Sequence, residues 1–118
     1  PDAAAFAGTD LEPGTLIGVA GTWTSLAAIA QDLPHYTPDR VHGYRLTRAS
    51  LERVIDSLAE MTLEETAAIP SLDPKRAPVI LAGGLIAQGV LDALNADEVL
   101  ISEHDTLDGA ARELLALA

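Results

Sequence analysis

The sequence has no cysteine, which excludes disulfides, thiol nucleophiles and thiolate-ligated zinc and agrees with a reducing, cytoplasmic setting. It is also poor in positive charge. Seven Lys and Arg stand against 18 Asp and Glu, for a formal net charge of −11, and Lys75 is the only lysine. A nucleic-acid footprint needs clustered basic charge, so no nucleic-acid partner is expected, and anionic membranes should be repelled. Long hydrophobic runs are missing too. The longest uninterrupted apolar-plus-glycine run is Val79 to Ala87, short of the ~18 to 20 residues of a membrane span. No basic segment precedes an apolar one at the start, so no secretory signal is expected. Met61 is the only methionine and the chain opens at Pro1, which reads most simply as a cut from a longer protein. What remains is 118 residues, 48% of them apolar: enough for a core, and one domain or part of one.

Residues 1–14 are small and weakly patterned and read as a flexible N-terminal arm. The run Thr15 to Ala20 fits a buried strand that ends in a glycine-rich turn, Gly18-Val19-Ala20-Gly21-Thr22. A helix is expected from Ser25 to Leu33, stopped by Pro34. Pro34 to Asp39 reads as a loop and Val41 to Leu46 as a short edge strand. Thr47 then caps a helix whose Leu51, Val54, Ile55 and Leu58 form one apolar stripe. Thr62 with Glu65 is a capping box for a short helix closed by Pro70.

Asp73-Pro74 has the form of an N-cap and first helical residue. Two readings then compete. Val79 to Ala82 is a strand running into a Gly83-Gly84 turn, or one long helix spans Pro74 to Leu94. The 3.6 spacing of the apolar residues favours the helix, with its glycines marking close packing against another element. Asn95-Ala96-Asp97 is a turn, Glu98 to Ser102 a strand, and Asp105 to Leu117 a final helix. The sum is a helix-rich α/β chain with few strands.

The turn after the first strand is the best candidate site. Backbone N–H groups at a helix start, with the positive end of the helix dipole, accept phosphate oxygens. Gly18 and Gly21 would let a phosphate approach, and the hydroxyls of Thr22 and Thr24 would add donors. The spacing is neither a Walker A loop nor a dinucleotide fingerprint, and a tight turn without a ligand explains it as well. Other features have bland readings beside functional ones. Gly83-Gly84 is a second phosphate turn or a packing contact. Ser102-Glu103-His104-Asp105 is a metal or base cluster or an ordinary turn with Asp105 as N-cap. Arg45, Arg48 and Arg53 are an anion patch or a solvated face. Trp23 lines a pocket or packs half-buried. His35 and His42 match no zinc spacing, and no nucleophile elbow is present.

Taken in order, these segments resemble the exopolyphosphatase and guanosine pentaphosphate phosphohydrolase (Ppx/GppA) family. The resemblance runs through Gly18 to Ala27, Val41 to Thr47, Met61 to Glu65, Ile69 to Ala77, Val79 to Leu94, Val99 to Glu103 and Leu107 to Gly109. Two departures stand out: Pro78 where such proteins often carry an acidic residue, and Thr66 where Arg is common. The resemblance implies an actin-like ATPase fold of two ribonuclease-H-like subdomains facing a cleft. It implies Mg²⁺-dependent hydrolysis of terminal phosphoanhydride bonds in polyphosphate, or of the 5′-phosphate of guanosine pentaphosphate. Residues 15–118 would be a partial second subdomain, with Leu16 to Ala20 and Val99 to Ser102 as neighbouring strands. The family's two phosphate loops and its catalytic Glu have no counterpart here. Catalytic residues are therefore expected outside this chain, in a missing first subdomain, and no metal ligands are assigned. A truncated sheet edge would also allow a homodimer. A sugar kinase of the same superfamily and a non-catalytic interaction module remain the alternatives.

Overall fold

The computed structural model describes residues 16–103 and the strand at 114–116. The expected arm over 1–14 lies outside the described residues. Strand β1, Ile17–Val19, is buried along its length, as a central strand covered on both faces should be. It runs parallel to β3, Glu98–Ile101, with Ile17 opposite Leu100 and Gly18 opposite Ile101. The two expected neighbours are thus adjacent. On its other side β1 pairs in parallel with β4, Leu114–Ala116. Strand β2, Arg45–Thr47, lies antiparallel on the outer side of β3, giving the sheet order β2-β3-β1-β4. The expected final helix over Asp105 to Leu117 is therefore corrected at 114–116, where the free edge of β1 takes up a strand; its other residues lie outside the described ones.

Parallel neighbours need a long crossover, and here it holds all the helices among the described residues. Helix α1, Ala20–Ala30, starts five residues earlier than expected, directly from the strand, so Gly18 to Thr22 is not an open loop. Its Thr22 to Ala28 are all buried, which marks α1 as the central helix of the layer. Just past its C-cap Gln31, Asp32 takes a left-handed conformation with φ 54°, and Leu33 N–H reaches the Ala28 carbonyl at 3.3 Å. The expected loop and edge strand over 34–46 are partly corrected. Pro38–Val41 is a helical turn, α2, with Pro38 supplying a helical φ at the first position, and Val41 is buried in it. Gly43, at φ 83°, then turns the chain into β2.

Helix α3, Arg48–Ala59, begins as predicted: Thr47 Oγ1 accepts from Ser50 N–H at 3.1 Å. Leu51, Val54, Ile55 and Leu58 are buried, each contributing roughly 1.5–3 kcal/mol of transfer free energy. Helix α4, Leu63–Ala67, carries the complete capping box between Thr62 and Glu65. Thr66 is buried and donates to the Thr62 carbonyl at 3.0 Å.

Asp73 caps a 3₁₀ turn, Pro74–Arg76, by accepting from Lys75 N–H at 3.0 Å. Helix α5, Ala77–Ala93, follows at once, so the long-helix reading holds. Pro78 falls in the first turn, where its missing N–H denies no bond. The paired glycines are the close approach that reading needed. A Cβ on Gly83 would lie 2.6 Å from Thr22 Cγ2 of α1, and one on Gly84 would lie 3.1 Å from Ile55 Cγ1 of α3. Asn95, at φ 53°, closes α5: its N–H meets the Asp92 carbonyl at 3.2 Å and Ala96 N–H meets Leu91 at 2.9 Å. By length and composition Pro74–Ala93 is apolar enough to cross a membrane, which counting uninterrupted runs had not suggested.

Candidate functional site

The site forms where β1 passes into α1. Both β1 and β3 deliver their carboxyl ends here, and α1 starts here with no side chain capping its first turn and no acidic residue in it. Ala20, the first residue of α1, sits at φ 74°, a conformation glycine adopts freely and alanine does not.

The four residues singled out in the turn play different parts. Gly18 is covered by Trp23: a Cβ there would lie 2.7 Å from the indole, and the Gly18 carbonyl accepts from Ser102 N–H at 2.9 Å. Trp23 itself is fully buried, and its Nε1–H has no acceptor. Thr24 Oγ1 donates back to the Ala20 carbonyl at 3.1 Å, so it meets a ligand as a donor only by leaving that carbonyl. Thr22 is buried under Gly83. Gly21 is different. A Cβ there would lie 1.9 Å from Nη2 and 2.1 Å from Cζ of Arg76, so the guanidinium occupies the space a side chain would take.

Arg76 was not singled out from the sequence, although it ends the Asp73-Pro74-Lys75 cap. Nothing local connects it to Gly21; the 3₁₀ turn places it. Arg76, Gly21, Thr24, Ser25, Ser71 and Asp73 line a cavity of about 310 Å³ beside Leu72 and Tyr36. A positive helix end, a guanidinium and hydroxyls converge on it, a set of groups suited to an anion.

The other candidates are committed to structure. Tyr36 OH donates to the Glu103 carboxylate, and Glu103 N–H donates to His42 Nδ1 at 3.1 Å. Of the Ser102 to Asp105 run, His104 and Asp105 lie outside the described residues. Arg45 pairs with Glu98 at 2.7 Å. Arg48 pairs with Asp92 and donates to the Leu91 and Ala96 carbonyls at 3.1 and 2.6 Å, closing the end of α5. Arg53 donates to Ser50 Oγ at 2.9 Å. These three arginines form no common anion patch. Among the described residues no group of three or more His, Asp or Glu is placed to hold a metal. The cavity offers a single carboxylate, Asp73, already capping a turn and beside a guanidinium, so these residues alone do not fit a Mg²⁺ centre.

The arrangement defines a class: a helix-rich α/β domain with an anion-suited turn at the carboxyl end of parallel strands. The model of the Ppx/GppA phosphatase family matches residues 6–115, and the chain belongs to that family. It is 36% identical over 104 residues to Exopolyphosphatase 2 of Mycobacterium tuberculosis, covering 85% of this chain and 33% of that protein. It is 32% identical over 99 residues to a bifunctional 3-dehydroquinate synthase/phosphatase of Fusobacterium nucleatum, covering 84% of this chain and 15% of that one. The crystal structure of the Aquifex aeolicus Ppx/GppA family member is similar with a TM-score of 0.73 at 28% identity, over 93% of this chain and 35% of that chain. An exopolyphosphatase structure from Cytophaga hutchinsonii gives 0.61 at 25% identity, over 85% and 32%. The chain thus spans about a third of the length, or less, of the relatives it matches. Its fold is a partial α/β domain of the actin-like type.

Proposed function

We propose that this chain is part of a hydrolase that cleaves terminal phosphoanhydride bonds, and that its share of the work is to hold phosphate at the start of α1. The observation that carries this is the Arg76 guanidinium seated on Gly21. Hydrolysis of such a bond needs an activated water, charge to neutralise the phosphates, and donors to orient them. The backbone N–H groups of Gly21 and Thr22 and the Arg76 guanidinium answer to the last requirement, with Thr24 and Gly18 shaping the turn. Mg²⁺, when bound in the parent enzyme, would supply the neutralising charge, and its ligands and the catalytic carboxylate belong to the part upstream. On this reading the chain alone does not turn over substrate. Inorganic polyphosphate is the favoured substrate over guanosine pentaphosphate, because the M. tuberculosis relative is named an exopolyphosphatase.

Binding is testable without turnover. Titration of the isotope-labelled chain with tripolyphosphate should shift the backbone amide signals of Gly21 and Thr22, and Arg76→Gln should abolish the shifts. Shifts that persist in Arg76→Gln, or that fall elsewhere, would move the phosphate site away from this turn.

A further inference from the structure

A second cavity, of about 350 Å³, lies between the carboxyl-terminal end of α1, helix α3 and the segment 69–71. It shares only Ser71 with the cavity beside Gly21, and the proposed hydrolysis makes no use of it. Ligand pockets run from about 300 to 1,000 Å³, so its volume suits a small molecule. Ile29, Leu33, Val54, Met61 and Ile69 give it apolar walls. Its charged groups are of opposite sign and come from different helices. Helix α1 ends here with the negative end of its dipole and no basic residue in its last turn. The turn that closes α1 takes up the Ala27, Ala28 and Ile29 carbonyls and leaves that of Ala30. Asp32 adds a carboxylate. From α3 comes Arg53, its guanidinium steadied by Ser50 Oγ at 2.9 Å. Arg53 and Asp32 line one cavity yet form no ion pair, and neither has another charged partner among the described residues. Ser71, only 3% exposed, lines the cavity with a hydroxyl that makes no hydrogen bond among the described residues.

We propose that this cavity binds a free α-amino acid with a branched aliphatic side chain. Charge selects the head group. Two opposite charges that share a cavity without pairing are complemented by one ligand carrying both. The ammonium belongs at the end of α1, where the helix dipole, the Ala30 carbonyl and Asp32 gather negative charge. The carboxylate belongs on Arg53, whose planar fork of N–H groups takes a carboxylate through two bonds. A simple anion would face Asp32 and a simple cation would face Arg53, and like charges brought together repel. The Ser71 hydroxyl, able to donate or accept, gives the head group a further partner inside. The walls select the side chain. A polar one would lose its water against Ile29, Leu33, Val54, Met61 and Ile69 without a bond in return. An internal segment of a longer chain has its α-ammonium and α-carboxylate tied up in amide bonds, so the paired charges single out the free amino acid. This site does not depend on the hydrolase reading.

Titration of the isotope-labelled chain with L-leucine tests it. Amide signals of Ala30 to Leu33 and of Arg53 to Ser57 should shift and saturate, with a midpoint at about 1 mM or below. Isocaproate lacks the ammonium and isoamylamine lacks the carboxylate, and each should bind about ten-fold more weakly or worse. Matched variants then separate the two ends. Arg53→Gln should weaken leucine about ten-fold and leave isoamylamine unchanged. Asp32→Asn should weaken leucine and leave isocaproate no weaker. Asparagine tolerates the left-handed backbone of Asp32, and both positions are exposed, so both variants should keep the wild-type circular dichroism spectrum. Leucine that gives no saturable shift up to about 20 mM overturns the proposal. So does isocaproate or isoamylamine binding as tightly as leucine, or leucine binding to both variants as it does to wild type. A protein extended upstream to the length of the M. tuberculosis relative should bind leucine as well. If only the short chain binds it, the cavity is filled by the rest of the parent, and that too overturns the proposal.

Discussion

Gly83→Ala and Gly89→Ala make the same chemical change in the same helix and should move stability in opposite directions. Helix propensity alone favours alanine by about 1 kcal/mol at either position. At Gly89 nothing lies within 4 Å of the added methyl, so the chain should gain close to that amount. At Gly83 the methyl arrives 2.6 Å from Thr22 Cγ2. That is about 1 Å inside a normal carbon–carbon contact. Thr22 is β-branched and buried in the first turn of α1, so its side chain has little freedom to yield. Overpacking of this kind costs roughly 1–3 kcal/mol. The net expectation is a loss of about 1 kcal/mol, and a gap of about 2 kcal/mol between the two variants. With a urea slope of about 1–2 kcal/mol/M, their midpoints should differ by about 1 M or more. Gly84→Ala, with Ile55 Cγ1 at 3.1 Å, should fall between them. If Gly83→Ala is as stabilising as Gly89→Ala, the packing of α5 on α1 described above is wrong.

Ala20→Gly should stabilise the chain by about 0.5–1 kcal/mol in the same assay: relief of the left-handed alanine at φ 74° exceeds the added flexibility of the unfolded chain. Arg48→Ala should cost about 2 kcal/mol, because the Leu91 and Ala96 carbonyls lose a charged donor and Asp92 its partner. Arg48→Lys should restore less than half of that, since an ammonium cannot span all three acceptors. Thr62→Ala should cost about 1 kcal/mol and raise amide exchange in α4, by removing the acceptor for Glu65 N–H. An unchanged midpoint in any of these would contradict the bond or strain invoked.

Features set by short-range chemistry were legible. The Thr47 cap, the Thr62–Glu65 capping box and the stripe from Leu51 to Leu58 each depend on residues within one or two turns of one another. The helical course of 79–82 was legible only as the better of two options. What decides it is tertiary: Gly83 and Gly84 are small because Thr22 and Ile55 lie against them. The start of α1 was misplaced because a glycine-rich run reads as a loop, whereas only Ala20 leaves ordinary backbone space. The strand at 114–116 was hidden for a related reason. Its leucines suit a helical stripe equally, and the decision belongs to the unpaired edge of β1. Pro38 was read as part of a loop, although a proline also opens a helix well, as it does in α2. Arg76 was missed at the candidate site because its role depends on Gly21, distant in sequence and reached only through the fold.

The proposed function has this chain hold phosphate for a hydrolase whose catalytic groups lie elsewhere. The most direct test is Mg²⁺-dependent phosphate release from inorganic polyphosphate, comparing this chain with one extended upstream to the length of its M. tuberculosis relative. The extended protein should release phosphate, with a several-fold rise in its KM on Arg76→Gln, and the 118 residues alone should release none above the buffer control. Turnover by the short chain would show that the catalytic groups have been misplaced, and an extended protein indifferent to Arg76 would remove the phosphate-holding role from the start of α1.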